Sequence, residues 1–138
     1  MCKTGGILVK RGFIFLAIIY VILHELTHGL LYKILTKQKL TFGLTLSVAF
    51  CGVPHIYVNK KTALLSVLAP FVVYNIIFIP LLIFLPGNFI YLTLFLVYLT
   101  HASGCVGDLY AAYILLKTKG ELLMNDTGPI QTFYKKSE

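Results

Sequence analysis

The sequence predicts an integral membrane protein built from three transmembrane helices, with a β-hairpin between the first and the second. Hydrophobic residues make up 58% of the chain and charged residues only 12%, which is more apolar than a soluble domain of this size can bury. Three apolar stretches each reach the length that a helix needs to span a bilayer, about 20 residues. They cover residues 12–35, 62–85 and 89–116. We expect one membrane domain over residues 1–138.

The basic residues predict how the chain lies in the cell membrane. With three spans, most lysines fall on one side of the membrane, namely Lys33, Lys37, Lys39, Lys60, Lys61, Lys117, Lys119, Lys135 and Lys136. Positive residues favour the cytoplasmic side, so we expect a multi-pass protein with a cytoplasmic tail over residues 117–138. The net charge of +7 is therefore interpreted as a topology signal, not as a sign of nucleic-acid binding.

Between the first two spans, apolar residues recur with a period of two. From Leu40 to Cys51 they alternate with small or polar residues, which is typical of a strand with one apolar face. Residues 51–54 then predict a turn, and residues 55–58 resume a β-rich run. We predict a β-hairpin over residues 40–58 at the cytoplasmic membrane surface. A plain amphipathic linker is the alternative.

The first span carries an HExxH motif, from His24 to His28. Two histidines four residues apart lie on one face of a helix, where both can bind one zinc ion. Glu25 between them can then act as the general base of a hydrolase. Ionisable side chains at this depth in a membrane are costly, so their presence indicates a function. We predict Zn²⁺ as the cofactor.

A hydrolytic zinc site commonly takes three protein ligands, so a third must come from elsewhere in the chain. The candidates are His55, His101, Cys105 and Asp108. Glu25 lies eight residues before Lys33, and Asp108 lies nine before Lys117. Both are therefore about 12 to 14 Å from the same membrane boundary at the rise of a helix. This matching depth favours Asp108 as the third ligand.

The other candidates have structural alternatives. His101 lies about 10 Å farther from that boundary than Asp108, and it could contact the metal or substrate or only bond within the helix bundle. Cys105 could be a ligand or a packing residue, and His55 could be an interfacial side chain. The third helix contains Gly104 and Gly107, which weaken a helix interior. A break near Gly104–Gly107, which could move Asp108 or His101, is an open alternative.

Several of these motifs together resemble a known group of proteins. They are His24-Glu25-Leu26-Thr27-His28-Gly29, Ala69-Pro70 with Asn75, and Gly107-Asp108-Leu109. The chain resembles the small bacterial membrane proteins called putative zincin peptidases, and is similar to the core of the site-two protease family of intramembrane zinc metalloproteases. The resemblance implies zinc ligands at His24, His28 and Asp108, with Glu25 as the base and Asn75 near the bound substrate.

The chain departs from the site-two protease pattern at two places. The second span has Ala69-Pro70 where that family usually has Gly-Pro, and no Asn-Pro-Asp-Gly sequence is present. Asn125-Asp126-Thr127-Gly128 resembles the latter but falls outside the spans. These departures concern the substrate contacts more than the metal ligands.

The sequence as a whole predicts an intramembrane zinc metalloprotease. Its substrate would be a membrane protein or peptide, cleaved near the cytoplasmic face and held as an extended strand along an edge of the hairpin. Three spans seal a zinc site poorly from lipid, so we expect a homodimer or a partner subunit. The alternatives are a non-catalytic membrane protein that binds or transports metal, and a regulatory subunit with a vestigial site.

Overall fold

Three long helices form the body of the protein. The structure is a computed structural model that describes residues 2–44, 49–85, 87 and 89–135. Helix α1 is Cys2–Thr36, α2 is Lys60–Phe84 and α3 is Phe89–Lys117. Each is long and apolar enough to cross a membrane, which agrees with the three stretches predicted from the sequence. Helix α1 begins ten residues before the predicted stretch at residue 12.

Helix α3 is continuous, so the break considered near Gly104–Gly107 is wrong. Both glycines lie on the exposed face of the helix, where an added Cβ would meet no atom within 4 Å. A glycine weakens a helix interior by about 1 kcal/mol relative to alanine. The opposite face of α3 is buried, including His101, Cys105 and Asp108, and its packing against α1 and α2 outweighs this local cost.

A β-hairpin does lie between α1 and α2, but it turns back earlier than predicted. Strand β1 is Thr41–Leu44 and pairs antiparallel with β2, Ala49–Gly52. The alternation in the sequence predicts one strand from Leu40 to Cys51. That interpretation is wrong, because residues 41–44 pair antiparallel with residues 49–52 and the two segments cannot belong to one strand. The pairs join residues of opposite parity, such as Phe42 with Cys51 and Gly43 with Phe50, so the even-numbered apolar residues of the two strands lie on opposite faces of the hairpin. The connection, residues 45–48, lies outside the described part of the chain.

The tail forms most of a second small sheet, which the sequence pattern does not predict. Strand β3, Val58–Asn59, pairs with β4, Leu122–Asp126, and β4 pairs with β5, Gln131–Lys135, all antiparallel. The predicted second strand of the first hairpin, residues 55–58, is therefore mostly loop, and its end joins the tail sheet.

The tail sheet is attached to the first hairpin by main-chain and side-chain contacts. The Val53 amide donates to the Asp126 carbonyl at 2.8 Å. The Asn125 side-chain amide donates to the carbonyls of Pro54 and Ile56. Gly128 has a φ of +97° in the turn between β4 and β5, a conformation that favours glycine. The hairpin and the tail thus form one layer at the same end of the bundle.

Two groups of buried apolar residues surround the middle of the bundle. One contains Tyr32 of α1 with Val67, Leu115 and Met124, and joins the helices to both strand regions. The other contains Tyr20 of α1 and lies among the three helices farther from the strands. Along α1, the HExxH motif lies between Tyr20 and Tyr32. The candidate site is therefore held between two packed clusters.

Candidate metal centre

Three ligand side chains predicted from the sequence meet where α1 faces α3. The Nε2 atom of His24 lies 3.2 Å from Oδ2 of Asp108, and Nε2 of His28 lies 3.3 Å from Oδ1 of the same carboxylate. All three side chains are buried, with at most 9% of each residue exposed. Their ligand atoms lie within 4.8 Å of one another, close enough to share one metal ion.

His28 is oriented by a backbone carbonyl of α2. Its Nδ1 lies 2.8 Å from the carbonyl oxygen of Ser66. A carbonyl only accepts hydrogen bonds, so Nδ1 carries a proton, and Nε2 presents a lone pair when the ring is neutral. This lone pair faces Oδ1 of Asp108, which is another acceptor. Two facing acceptors are stabilised by a cation held between them.

The carboxylate of Asp108 supplies a further reason to place a cation here. Its Oδ2 is buried without a hydrogen-bond partner, although it lies 3.2 Å from the His24 ring. A buried polar atom without a partner is costly. Two imidazole nitrogens and one carboxylate oxygen form a set of ligands common in catalytic zinc sites, so the residues present fit Zn²⁺.

Glu25 lies between the histidines in sequence and reaches toward the first hairpin. It is half-buried, and its carboxylate accepts a hydrogen bond from the backbone N–H of Cys51 in β2. In an antiparallel pair of strands, when the amide of one residue points away from the partner strand, the amide of the residue directly opposite also points away from its own partner. The Cys51 amide bonds to Glu25 and so points away from β1. Cys51 pairs with Phe42. The Phe42 amide therefore lies on the outer edge of β1.

Gly29 allows β2 to pack closely against α1. A Cβ at this position would overlap the Sγ atom of Cys51 and would lie 3.2 Å from Cδ1 of Leu40. The glycine directly after the HExxH motif thus keeps the Cys51 amide within reach of Glu25. The Cys51 thiol is affected by the same surroundings, because burial, together with the negative charge of Glu25, raises its pKa.

His101 and Cys105 lie behind His24, on the side away from Asp108. The Tyr20 hydroxyl lies 2.7 Å from Nδ1 of His24 and 2.8 Å from Nδ1 of His101. Cys105 Sγ lies 3.4 Å from the same His101 nitrogen. The ligand atoms of His24, His101 and Cys105 are also close enough to share a metal. The Tyr20 hydroxyl already lies between the His24 and His101 rings, so we interpret this cluster as one that holds the His24 ring in position.

Asn75 is connected to this supporting cluster. Its side-chain nitrogen donates to the Phe71 carbonyl and lies 3.2 Å from Nε2 of His101, and its oxygen accepts from the Tyr98 hydroxyl. An amide nitrogen only donates, so His101 accepts at Nε2 and carries its proton at Nδ1, facing Tyr20. The expected substrate contact of Asn75 stays a prediction.

His55 is not brought to the site. It is exposed in the loop before β3, beside a cavity also lined by Lys39 and Val53. Within the described part of the chain, it belongs to neither of the two groups that could hold a metal.

Besides Ser66 and Cys51, two residues that the sequence did not indicate contribute to the region. Tyr20 is one; its position four residues before His24 on the same helix face is a signal that could have identified it. Asp126 of β4 is the other. It accepts hydrogen bonds from the Tyr32 hydroxyl and the Gly128 amide, both at 2.8 Å. Burial raises the pKa of the Asp126 carboxyl.

Comparison with known protein families adds independent information. The model of a family described as "Putative zincin peptidase" matches residues 17–123. The matched region contains the HExxH motif, both strands of the first hairpin, α2 and the whole of α3 with Asp108. No curated protein and no solved structure matches the chain.

Proposed function

We propose that this chain, which belongs to the family described as "Putative zincin peptidase", is a zinc metallopeptidase that cleaves a membrane-associated substrate within the membrane, near its cytoplasmic face. The observation that carries the proposal is the convergence of His24, His28 and Asp108, with a buried and unpaired Asp108 oxygen beside them. Glu25 lies one residue after His24, which is the position of the general base in an HExxH motif. The resemblance of these motifs to the site-two protease core supports the same assignment.

The surface of the three helices supports a position in the cell membrane. Large apolar side chains are exposed along them, including Ile76 at 68%, Phe84 at 80% and Leu116 at 63%. Soluble proteins rarely expose such extensive apolar surface, and lipid would cover it. The distribution of lysines favours a cytoplasmic carboxyl tail. A homodimer or partner subunit stays a prediction.

The proposed chemistry assigns separate tasks to the ligands and to the base. Zinc held by His24, His28 and Asp108 would supply a Lewis acid that polarises the scissile carbonyl and acidifies a water molecule. Glu25 accepts a proton from the attacking water and delivers it to the leaving amine. The Cys51 amide holds the Glu25 carboxylate in place for both transfers.

The first hairpin is the proposed binding surface for an extended substrate. A transmembrane helix resists hydrolysis while its amides are bonded internally, so the substrate must unwind near the site. Among the described residues, β1 has β2 as its neighbouring strand, and the Phe42 amide lies on the outer edge. An unwound segment could pair with this edge through main-chain hydrogen bonds, which demand little of the substrate sequence.

The replacement Glu25→Gln tests the proposed function. We expect the variant to keep its zinc, because Glu25 is not a ligand, and to lose roughly 10²- to 10⁴-fold in turnover, which is typical of a lost general base. The matched control is Glu121→Gln in the tail, which should keep both properties. Membranes from cells carrying either variant would be compared by proteomics for uncleaved proteins. Equal cleavage in the two variants would contradict a peptidase and favour a protein that only binds or transports metal.

A further inference from the structure

Helix α2 contains a buried proline next to the metal centre. Pro70 lies inside Lys60–Phe84. In an α-helix, each N–H donates to the carbonyl four residues earlier, but proline has no N–H. The carbonyl that loses this partner is that of Ser66. The proline ring also pushes against the same carbonyl and tilts it away from the helix axis.

The carbonyl left without this helical partner is the one that binds His28. The Nδ1 atom of His28 lies 2.8 Å from the Ser66 oxygen. Ser66 is fully buried, so water does not compete for the oxygen. The hydrogen bond fixes the proton of His28 at Nδ1 and directs Nε2 toward Asp108. Partners of this kind commonly set the orientation of histidines that bind metals.

We propose that Pro70 is a positioning residue for the metal centre: it frees the Ser66 carbonyl to hold the outer nitrogen of His28. The inference rests on the proposed metal binding. It adds to the metal centre a residue, Pro70, that is not a metal ligand and acts through the Ser66 carbonyl. It also explains a proline in a buried helix interior, where proline is the least favourable residue. An alanine at position 70 would supply an N–H that competes with His28 for the same oxygen.

The same helix provides a matched control. Pro80 also lies inside α2, and the carbonyl that it leaves without a helical donor is that of Ile76. The Ile76 side chain is exposed on the outer face of the helix, away from the metal centre. Replacing Pro80 by alanine removes the same kind of helix defect without touching the support of His28.

The experiment compares wild type, Pro70→Ala and Pro80→Ala purified as full chains in one detergent. Zinc Kd is measured by competition with a chelator, and the Tm of the metal-free protein is measured in parallel. We expect Pro70→Ala to bind zinc about 10- to 100-fold more weakly, with a metal-free Tm at or above that of wild type because the helix gains a hydrogen bond. Pro80→Ala should keep the wild-type Kd.

Three results would overturn the inference: an unchanged Kd in Pro70→Ala, an equal loss of affinity in both variants, or a lower metal-free Tm in Pro70→Ala. A second measurement needs no proline variant. In wild type labelled with ¹⁵N-histidine, the His28 signal, assigned with His28→Asn, should show the proton at Nδ1, and a proton at Nε2 in the neutral ring would overturn the inference. A wild type that binds no zinc contradicts both proposals, whereas zinc binding without peptidase activity contradicts only the proposed function.

Discussion

Gly29→Ala should loosen the contact between α1 and the first hairpin. The added Cβ would overlap Cys51 Sγ and would press on Leu40 at 3.2 Å. Because Cys51 also donates its backbone amide to Glu25, a shift of β2 would disturb the proposed base. The substitution therefore tests whether the close approach of the hairpin to α1 is needed for both stability and activity.

The size of the effect follows from two opposing contributions. Overpacking a closely packed interior costs about 1 to 3 kcal/mol, whereas alanine in place of glycine stabilises a helix by up to about 1 kcal/mol. Gly104→Ala is the matched control, since its Cβ would meet no atom within 4 Å. The helix contribution is common to both variants. Their free energies of unfolding should differ by about 1 to 3 kcal/mol, the cost of the overlap.

The assay is reversible unfolding in detergent for Gly29→Ala, Gly104→Ala, Cys51→Ala and the double variant Gly29→Ala with Cys51→Ala. Removal of the sulfur should restore part of the stability lost in Gly29→Ala, which would give a coupling energy of about 0.5 to 3 kcal/mol, as for residues in contact. If Gly29→Ala is as stable as Gly104→Ala, the described packing of β2 on α1 is refuted.

Three further predictions concern Tyr20, Asp126 and Phe42. Tyr20→Phe removes the hydroxyl behind His24 and should weaken zinc binding about 10- to 100-fold in a chelator competition, whereas Tyr74→Phe should not; equal affinities would contradict the supporting role. Burial raises the pKa of Asp126, so the native state holds this proton more tightly and the free energy of unfolding should fall as pH rises from the ordinary aspartate pKa through the raised one. Asp126→Asn should flatten this dependence, and an identical slope in both proteins would disprove it. Phe42→Pro removes an outward amide while keeping the β1–β2 ladder, so it should reduce cleavage more than Phe42→Ala at unchanged zinc content; equal cleavage by the two variants would exclude this edge.

The helices and the contact between the motif and Asp108 could be predicted from the sequence. Apolar length identifies the three helices, because a helix that could cross a membrane needs about 20 predominantly apolar residues in a row. Distance from flanking lysines placed Asp108 at the depth of the motif, and its carboxylate lies beside both histidines. The lysines that flank the apolar stretches thus give a reference point for the position of a residue along each helix, and this reference is valid only because the helices are continuous.

The strands were predicted less well, because their partners are distant in sequence. Alternation shows which residues of a strand share a face, but it does not show where the chain turns. In the sequence the even-numbered residues stay apolar into β2, although β1 and β2 pair with opposite parity, as Leu44 with Ala49. The pairing of Val58 with Met124 joins strands more than sixty residues apart, and no local pattern encodes it. The turn that contains Gly128 was the available signal for the tail hairpin.

The supporting contacts of the histidines were the hardest part to predict. The role of the Ser66 carbonyl arises from a proline four residues later and from the packing of α2 on α1, so it belongs to no side-chain motif. His101 and Cys105 were identified as candidates from their chemistry. Their contact with Tyr20 depends on which way each ring faces, and helix periodicity alone does not specify this.

The most direct test of the proposed site is the zinc content of the purified chain by elemental analysis, measured for wild type, Asp108→Ala and Cys105→Ala. Binding by His24, His28 and Asp108 predicts about one zinc per chain in wild type. It also predicts the same content in Cys105→Ala and a large loss in Asp108→Ala. Full zinc content in Asp108→Ala together with its loss in Cys105→Ala would contradict this assignment and place the metal at His24, His101 and Cys105 instead.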